Sequence, residues 1–141
     1  MKLCIYFLLF SMSLFAQRHK SVFEKTTDSI NSILYQTRNV IFIKQEHEFL
    51  NLSKIIANKN GNVFLIDLLT KNESKNTFKM FNLLDIKDFV SKGNQIQVMD
   101  KNEQKIGVFI NIQIQNLNEF IKNFKALQHI CETYKNENPK D

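Results

Sequence analysis

Apolar residues recur at helical spacing near both ends of the chain. In residues 21–36 they fall on one face, and Ser21 followed by Glu24 has the spacing of a capping box. The second apolar stripe consists of Leu117, Phe120, Ile121, Phe124, Leu127, Ile130, Cys131 and Tyr134. This spacing predicts two amphipathic helices, one over 21–36 and a longer one that ends near Tyr134, with Asn116 as its cap.

Between these two segments the apolar pattern becomes that of strands. Strands are predicted at 40–43, 49–57, 63–69, 77–83, 95–99 and 106–115. The run 49–57 also fits a helix, but the turn that follows it favours a strand. Strict alternation from Ile106 to Gln115 predicts a half-buried strand over that whole length. Residues 84–89 are interpreted as a short turn or helical segment.

Asn60-Gly61, between two apolar runs, is a strong hairpin signal. A two-residue type I′ turn needs positive φ at both central residues, which asparagine and glycine tolerate. This turn predicts a register in which Ile56 faces Leu65 and Ile55 faces Ile66. The same register places Lys54 opposite Asp67 and Leu52 opposite Leu69.

The order of elements predicts an α+β fold. It comprises an N-terminal helix, an antiparallel meander of five to six strands and a long C-terminal amphipathic helix packed on the sheet. This order is similar to that of pleckstrin-homology-like domains, which also end a meander with a helix. The similarity is one of order only, because no sequence motif carries it, and it implies no ligand.

The first residues have the arrangement of a secretory signal peptide. Lys2 precedes an uncharged, mostly apolar run over 3–15, and the small residue Ala16 is followed by polar residues. We therefore expect a signal peptide over 1–16, cleaved after Ala16, a single domain over 17–134 and a polar disordered tail over 135–141. The alternatives are a buried N-terminal helix or strand and an uncleaved anchor. The run is shorter than the about 20 residues that a membrane span requires.

Composition excludes several classes of function. Hydrophobic residues make up 43% and charged residues 23%, which is typical of a globular chain and not of a disordered one. The 3 glycines form neither of the glycine-rich phosphate-binding motifs, so no nucleotide cofactor is expected. Removal of Lys2 lowers the formal net charge of +5 by one. The lysines are scattered and arginine is rare, which argues against a nucleic-acid partner.

Histidines and carboxylates are the candidate metal ligands in this sequence. Glu46-His47-Glu48 is the densest group, but on a strand its two carboxylates and its histidine point to opposite faces. His19 and His129 repeat no ligand spacing. We therefore expect no metal site.

Three further residues are candidates for catalysis. Cys131 lies on the apolar stripe of the last helix, so we interpret it as a buried core residue and not as a nucleophile. Asp85 and Asp88, three residues apart, resemble a carboxylate pair for acid–base chemistry, but a helix cap at Asp85 explains the pattern equally well. The sequence thus assigns no catalytic residue.

These observations favour a small exported, non-enzymatic binding domain, secreted or periplasmic and of bacterial origin. Its partner would be a protein or small ligand in the envelope or outside the cell, with a membrane involved only during export. Phe109 and Met99 are candidates for a binding surface, although we favour packing beneath the first helix. The alternatives are an exported hydrolase built on Asp85, Asp88 or Glu46, and lysine-mediated association with an anionic surface.

Overall fold

The computed structural model describes residues 20–44, 49–67 and 77–139. The elements are α1 (Val22–Thr37), β1 (Ile41–Ile43), β2 (Phe49–Ala57), β3 (Asn62–Asp67), β4 (Thr77–Asn82), a 3-10 helix (Leu83–Asp85), β5 (Ile86–Lys92), β6 (Gln95–Asp100), β7 (Lys105–Ile110) and α2 (Ile114–Glu137). The predicted signal peptide, residues 1–16, lies outside the described residues.

The strands form one antiparallel sheet in the order β4-β3-β2-β1-β7-β6-β5. This confirms the predicted α+β fold, with seven strands where five to six were expected. The additional strand is β5, which lies in the segment interpreted as a turn or helix; only Leu83–Asp85 is helical. A β-bulge between Ile86 and Asp88 lets both Ile86 and Phe89 point into the core. Their spacing of three therefore resembles that of a helix.

The β2–β3 hairpin forms where it was expected, but its predicted register is wrong by one residue. The Asn58 N–H donates to the Asn62 carbonyl at 3.1 Å and the Gly61 N–H donates to the Asn58 carbonyl at 3.0 Å. The loop therefore has three residues, and of Asn60 and Gly61 only Gly61 has positive φ, at +85°. This is the geometry of a type I turn with a glycine bulge and not of a type I′ turn.

The shifted register changes which side chains are buried. Ile55 now faces Leu65, and Ile56 faces Phe64. Ile55 and Leu65 both lie in the core, whereas Ile56 is 43% exposed. Asp67 stands opposite Leu52 and not opposite Lys54. The strand pairing is therefore decided by burial of the Ile55–Leu65 pair.

The last strand is shorter than its alternating pattern predicts. β7 ends at Ile110, Asn111 adopts a left-handed φ of 65°, and α2 begins at Ile114. Consequently Ile112 is buried whereas Ile114 is 76% exposed. Apolar and polar residues still alternate beyond Ile110, but Ile112 belongs to the turn and Ile114 is the first residue of α2.

Both helices begin close to their expected positions. In α1 the Glu24 N–H donates to Ser21 Oγ at 3.2 Å and the Ser21 N–H donates to Glu24 Oε2 at 2.7 Å, which confirms the capping box. The cap of α2 is Gln113 and not Asn116, whose N–H donates to the Gln113 carbonyl at 2.8 Å. α2 also continues three residues past Tyr134, so 135–137 are helical. Neither helix is both long and apolar enough to span a membrane.

Two side-chain amides attach the helices to the sheet. Asn31 of α1 accepts from the Ile55 N–H at 2.7 Å and donates to the Ile55 carbonyl at 3.0 Å. It takes the place of a neighbouring strand at a point of β2 beyond the reach of β1, which pairs only with Phe49–Asn51. Gln128 Nε2 of α2 donates to the carbonyls of Leu83 and Ile86 at 2.9 and 2.8 Å. The helices are thereby positioned by directional contacts as well as by burial.

A cluster of phenylalanines fills the space between α2 and the sheet. Its members are Phe42, Phe81, Phe89, Phe109, Phe120 and Phe124. Neighbouring rings lie 4.7 to 6.5 Å apart between centroids, the range of favourable aromatic pairs. The Phe42 ring lies against the backbone of Gly107, where an added Cβ would be 2.1 Å from Cζ. Glycine is therefore required at 107 for close approach and not for its φ.

We expect Gly107→Ala to lower the free energy of unfolding by about 3 kcal/mol, because the methyl group overlaps the Phe42 ring. Gly93→Ala is the matched control: its space is open, and only its φ of +59° costs stability, about 1 kcal/mol. Urea denaturation measures both. In a Phe42→Leu background the cost of Gly107→Ala should fall below about 1 kcal/mol. Equal costs in the two backgrounds would disprove the contact.

Candidate functional site

A groove lies between the C-terminal end of α1 and strand β2. We call it the Arg38 groove; its volume is about 350 Å³. Its lining residues are Leu34, Tyr35, Arg38, Asn39, Leu52 and Ser53. Four of these six residues come from the last turn of α1 and the link to β1, so the groove depends on how that helix ends.

The floor of the Arg38 groove is apolar and its wall is aromatic. Leu34 and Leu52 are buried in the core. Tyr35 follows Leu34 on the helix and therefore turns away from the core stripe by about a quarter of a turn. Its side chain is 77% exposed. An aromatic ring that the fold leaves in solvent beside an apolar floor is suited to contact with a ligand.

Two consecutive left-handed residues connect α1 to β1. Arg38 has φ 49° and ψ 149°, and Asn39 has φ 59°. The Arg38 N–H still donates to the Leu34 carbonyl at 3.2 Å, and Asn111 Nδ2 donates to the Asn39 carbonyl at 3.3 Å. Asparagine tolerates such φ values, whereas arginine in this region costs about 1–3 kcal/mol. The next residue, Val40, is fully buried, which explains why the chain turns so sharply.

The guanidinium of Arg38 lies at the groove without a carboxylate partner among the described residues. Within 20–44, 49–67 and 77–139, its side chain makes no hydrogen bond or ion pair. Three lysines of the described residues are paired in this way: Lys20 with Asp28 at 2.6 Å, Lys125 with Asp88 at 2.8 Å, and Lys87 with Glu103. The groove therefore combines an apolar floor, an exposed aromatic ring and one available cation.

Four of the five histidine and glutamate candidates lie outside the described residues. Glu46, His47 and Glu48 lie outside them, as does His19. His129 is exposed on α2, as its place on the polar side predicted. Within the described residues, no three histidine, cysteine, aspartate or glutamate side chains are placed to hold a metal ion.

The carboxylates of the predicted pair have separate surroundings. Asp85 is the last residue of the 3-10 helix, whose cap is Asn82 and not Asp85. Asp88 lies in β5, where its Oδ1 accepts from the Phe89 N–H at 2.8 Å and binds Lys125. The Lys125 ammonium lowers the pKa of Asp88 below its usual range. Asp88 therefore stays ionised at neutral pH and joins α2 to β5.

Cys131 is buried in the core, as predicted. Its Sγ lies 3.7 Å from the Asn58 carbonyl oxygen, and burial raises the pKa of the thiol. A protonated, enclosed thiol is a poor nucleophile. Cys131 thus serves packing between α2 and the β2–β3 turn.

The prediction that Phe109 could form part of a binding surface is wrong. It is fully buried, with its ring 5.3 and 5.6 Å from those of Phe120 and Phe124. It therefore packs in the core beneath α2. Met99 is half-buried on β6.

Sequence reasoning missed Tyr35 and Arg38. The signal that was available is the absence of glycine after α1: Thr37-Arg38-Asn39 leads straight into the buried Val40. Helices commonly end with a left-handed residue, and no glycine lies among the two residues between α1 and Val40, so residues with side chains adopt this conformation. Leu52 and Ser53 have no such signal, because only packing brings β2 against the end of α1.

The fold is similar to that of one solved domain. A structure described as a PH domain from PfAPH matches with a TM-score of 0.52 and 13% sequence identity. The match covers 80% of this chain and 97% of that domain. At this identity the likeness shows the fold alone. No family model and no curated protein matches the sequence.

We expect Arg38→Gly to raise the free energy of unfolding by about 1 kcal/mol, because glycine adopts φ 49° without strain. Gln36→Gly, two residues earlier inside α1, should have the opposite effect and lower it by about 1 kcal/mol. Thermal and urea denaturation of both variants measure the difference. Destabilisation by Arg38→Gly would show that the arginine is retained for the fold and not for the groove.

Proposed function

We propose that this protein is an exported, non-enzymatic binding module that holds its ligand in the Arg38 groove. The proposal is carried by one observation: Arg38, which has no partner among the described residues, and the exposed Tyr35 line the same groove as two buried leucines. Small-molecule sites are typically concave and mostly apolar, with a few polar groups that set the orientation of the ligand. The volume of about 350 Å³ lies within the usual range for such sites.

The strained backbone supports a functional role for this groove. Strained residues persist where the surrounding structure imposes them, and they concentrate at binding and catalytic sites. Here two such residues, Arg38 and Asn39, line the same cavity. Glycine adopts this φ without strain and is expected to be more stable at 38, so the presence of arginine favours a role for its side chain.

The surroundings of the two most reactive candidates favour binding over catalysis. Asp88 is held ionised by Lys125, which makes it a poor general acid. The Cys131 thiol is buried and its pKa is raised, which opposes thiolate formation. The fold likeness to a PH domain supports the architecture of a small module, while the choice of ligand has to come from the groove itself.

Export is supported by the sequence of residues 1–20. The apolar run over 3–15 is followed by Ala16 and then by polar residues, the order that signal peptidases process. We expect the protein, expressed in a bacterium with its own N-terminus, to be recovered outside the cytoplasm. Mass spectrometry should then give the mass of a chain that starts at Gln17. Leu9→Arg, which interrupts the apolar run, should retain it inside at full length. An exported protein of full-length mass would contradict cleavage after Ala16.

The groove can be tested with a neutral apolar dye, N-phenyl-1-naphthylamine, whose fluorescence rises on transfer from water to an apolar site. We expect saturable binding with one dye per chain. Tyr35→Ala should weaken it about fivefold, because loss of an aromatic contact costs about 1 kcal/mol. Fluorescence titration measures the dissociation constant.

Tyr134→Ala is the matched control for this titration. Tyr134 also lies on a helix, but its ring contacts Lys59 Nζ at 5.2 Å from the centroid, away from the groove residues. Its variant should bind the dye as the unsubstituted protein does. Absence of saturable binding, or equal effects of the two substitutions, would refute a binding site in the groove.

A further inference from the structure

We infer that the Arg38 groove takes an aliphatic carboxylate, with the carboxylate on Arg38 and the chain along Leu34 and Leu52. This inference rests on the proposed function and adds to it the chemical class of the ligand. Three properties of the groove support it: the positive charge, the apolar floor and the volume.

The charge at the groove selects for an anion. Arg38 is the only ionised side chain among the six lining residues, and no described carboxylate neutralises it. The planar guanidinium matches the two oxygens of a carboxylate, which it binds through two parallel hydrogen bonds. A neutral ligand would leave that donor set unused.

The C-terminal end of helix α1 opposes the binding of an anion, but more weakly than Arg38 favours it. The C-terminus of a helix carries a partial negative charge of about half an elementary charge, spread over its last carbonyl groups. Arg38 carries a full positive charge, and its own N–H already occupies the Leu34 carbonyl at 3.2 Å. The lining residues together therefore carry one positive charge, which the helix end offsets only in part. A single positive charge favours a ligand with one negative charge over a ligand with several.

The floor determines the rest of the ligand. Leu34 and Leu52 offer aliphatic surface, and the exposed Tyr35 ring provides an apolar wall. An inorganic anion would reach Arg38 but would leave this surface in contact with water. An aliphatic chain covers it, and each buried methylene contributes about 0.8 kcal/mol.

The dimensions favour a free small molecule over the C-terminus of a peptide. The cavity of about 350 Å³ is at the lower end of the range for small-molecule sites. Ser53, the polar group on the strand side, already donates its hydroxyl to the Ile66 carbonyl at 3.2 Å. A peptide backbone would find few free hydrogen-bonding groups along this lining.

The test is displacement of N-phenyl-1-naphthylamine from the exported protein at pH 7 by decanoate or by 1-decanol, both below their aggregation concentrations. Decanol is the matched neutral ligand, since it has the same chain without the charge. Decanoate should displace the dye at about fivefold lower concentration than decanol, the ratio that about 1 kcal/mol for an exposed ion pair provides.

Arg38 variants separate the contribution of the charge from that of the fold. Arg38→Gln should weaken decanoate about fivefold and change decanol less than twofold. Arg38→Lys, which keeps the charge without the planar donor pair, should lie between them. Lys92→Gln, an exposed lysine on the edge strand β5, should change neither ligand. Circular dichroism of each variant confirms that the fold is retained.

The outcomes distinguish this inference from the proposed function. If the dye binds in a Tyr35-dependent way but decanoate and decanol compete equally, the groove is a binding site and the carboxylate preference is wrong. The same conclusion follows if Arg38→Gln leaves decanoate unaffected. If the acetylated tripeptide Ala-Leu-Leu with a free carboxylate competes better than decanoate, the ligand is a peptide terminus and the inference is also overturned.

Discussion

The fold depends on the three-residue strand β1 and on the Phe42 ring at its centre. Among the described strands, β1 alone joins the β4-β3-β2 half of the sheet to the β7-β6-β5 half. So short a strand contributes few hydrogen bonds, and its position is secured by the packing of Phe42 against Gly107, Phe81 and Phe109. The aromatic cluster then extends to α2, so the contact that joins the two halves also seats the C-terminal helix.

The shortness of β1 has a second consequence, which leads to the groove. β2 extends beyond β1, and the backbone of Ile55 is hydrogen-bonded there by Asn31 of α1. α1 is thus fixed against β2, and its last turn ends close to the place where β1 has to begin. Arg38 and Asn39 bridge this short distance in left-handed conformations. The strain at the groove is therefore imposed by the same arrangement that completes the sheet.

This arrangement also separates the stable interior from the proposed site. Cys131 and Asp88, the residues with the most evident chemical potential, are both engaged in joining α2 to the sheet. Tyr35 and Arg38 contribute little to the core, since one is largely exposed and the other is strained. Residues that cost stability without packing are the ones whose presence calls for a role in binding.

Local physical chemistry in the sequence accounts for much of the structure. The capping box at Ser21 and the burial of Cys131 follow from interactions within a few residues and were predicted correctly. The apolar stripes of both helices were also predicted, except that Val22 at the start of α1 is 69% exposed. The position of the β2–β3 turn also followed, because Gly61 marks it in either turn type.

Tertiary structure decided the features for which the local sequence permits two conformations of similar free energy. Gly61 permits a two- or a three-residue loop, and burial of Ile55 against Leu65 selects the latter. The bulge in β5 gives a spacing typical of a helix, and only pairing with β6 makes it a strand. The Arg38 groove joins positions 34–39 to positions 52–53, which become neighbours only when α1 packs on β2. Contacts between distant segments carry no local signal, so the groove could not be read from the sequence alone.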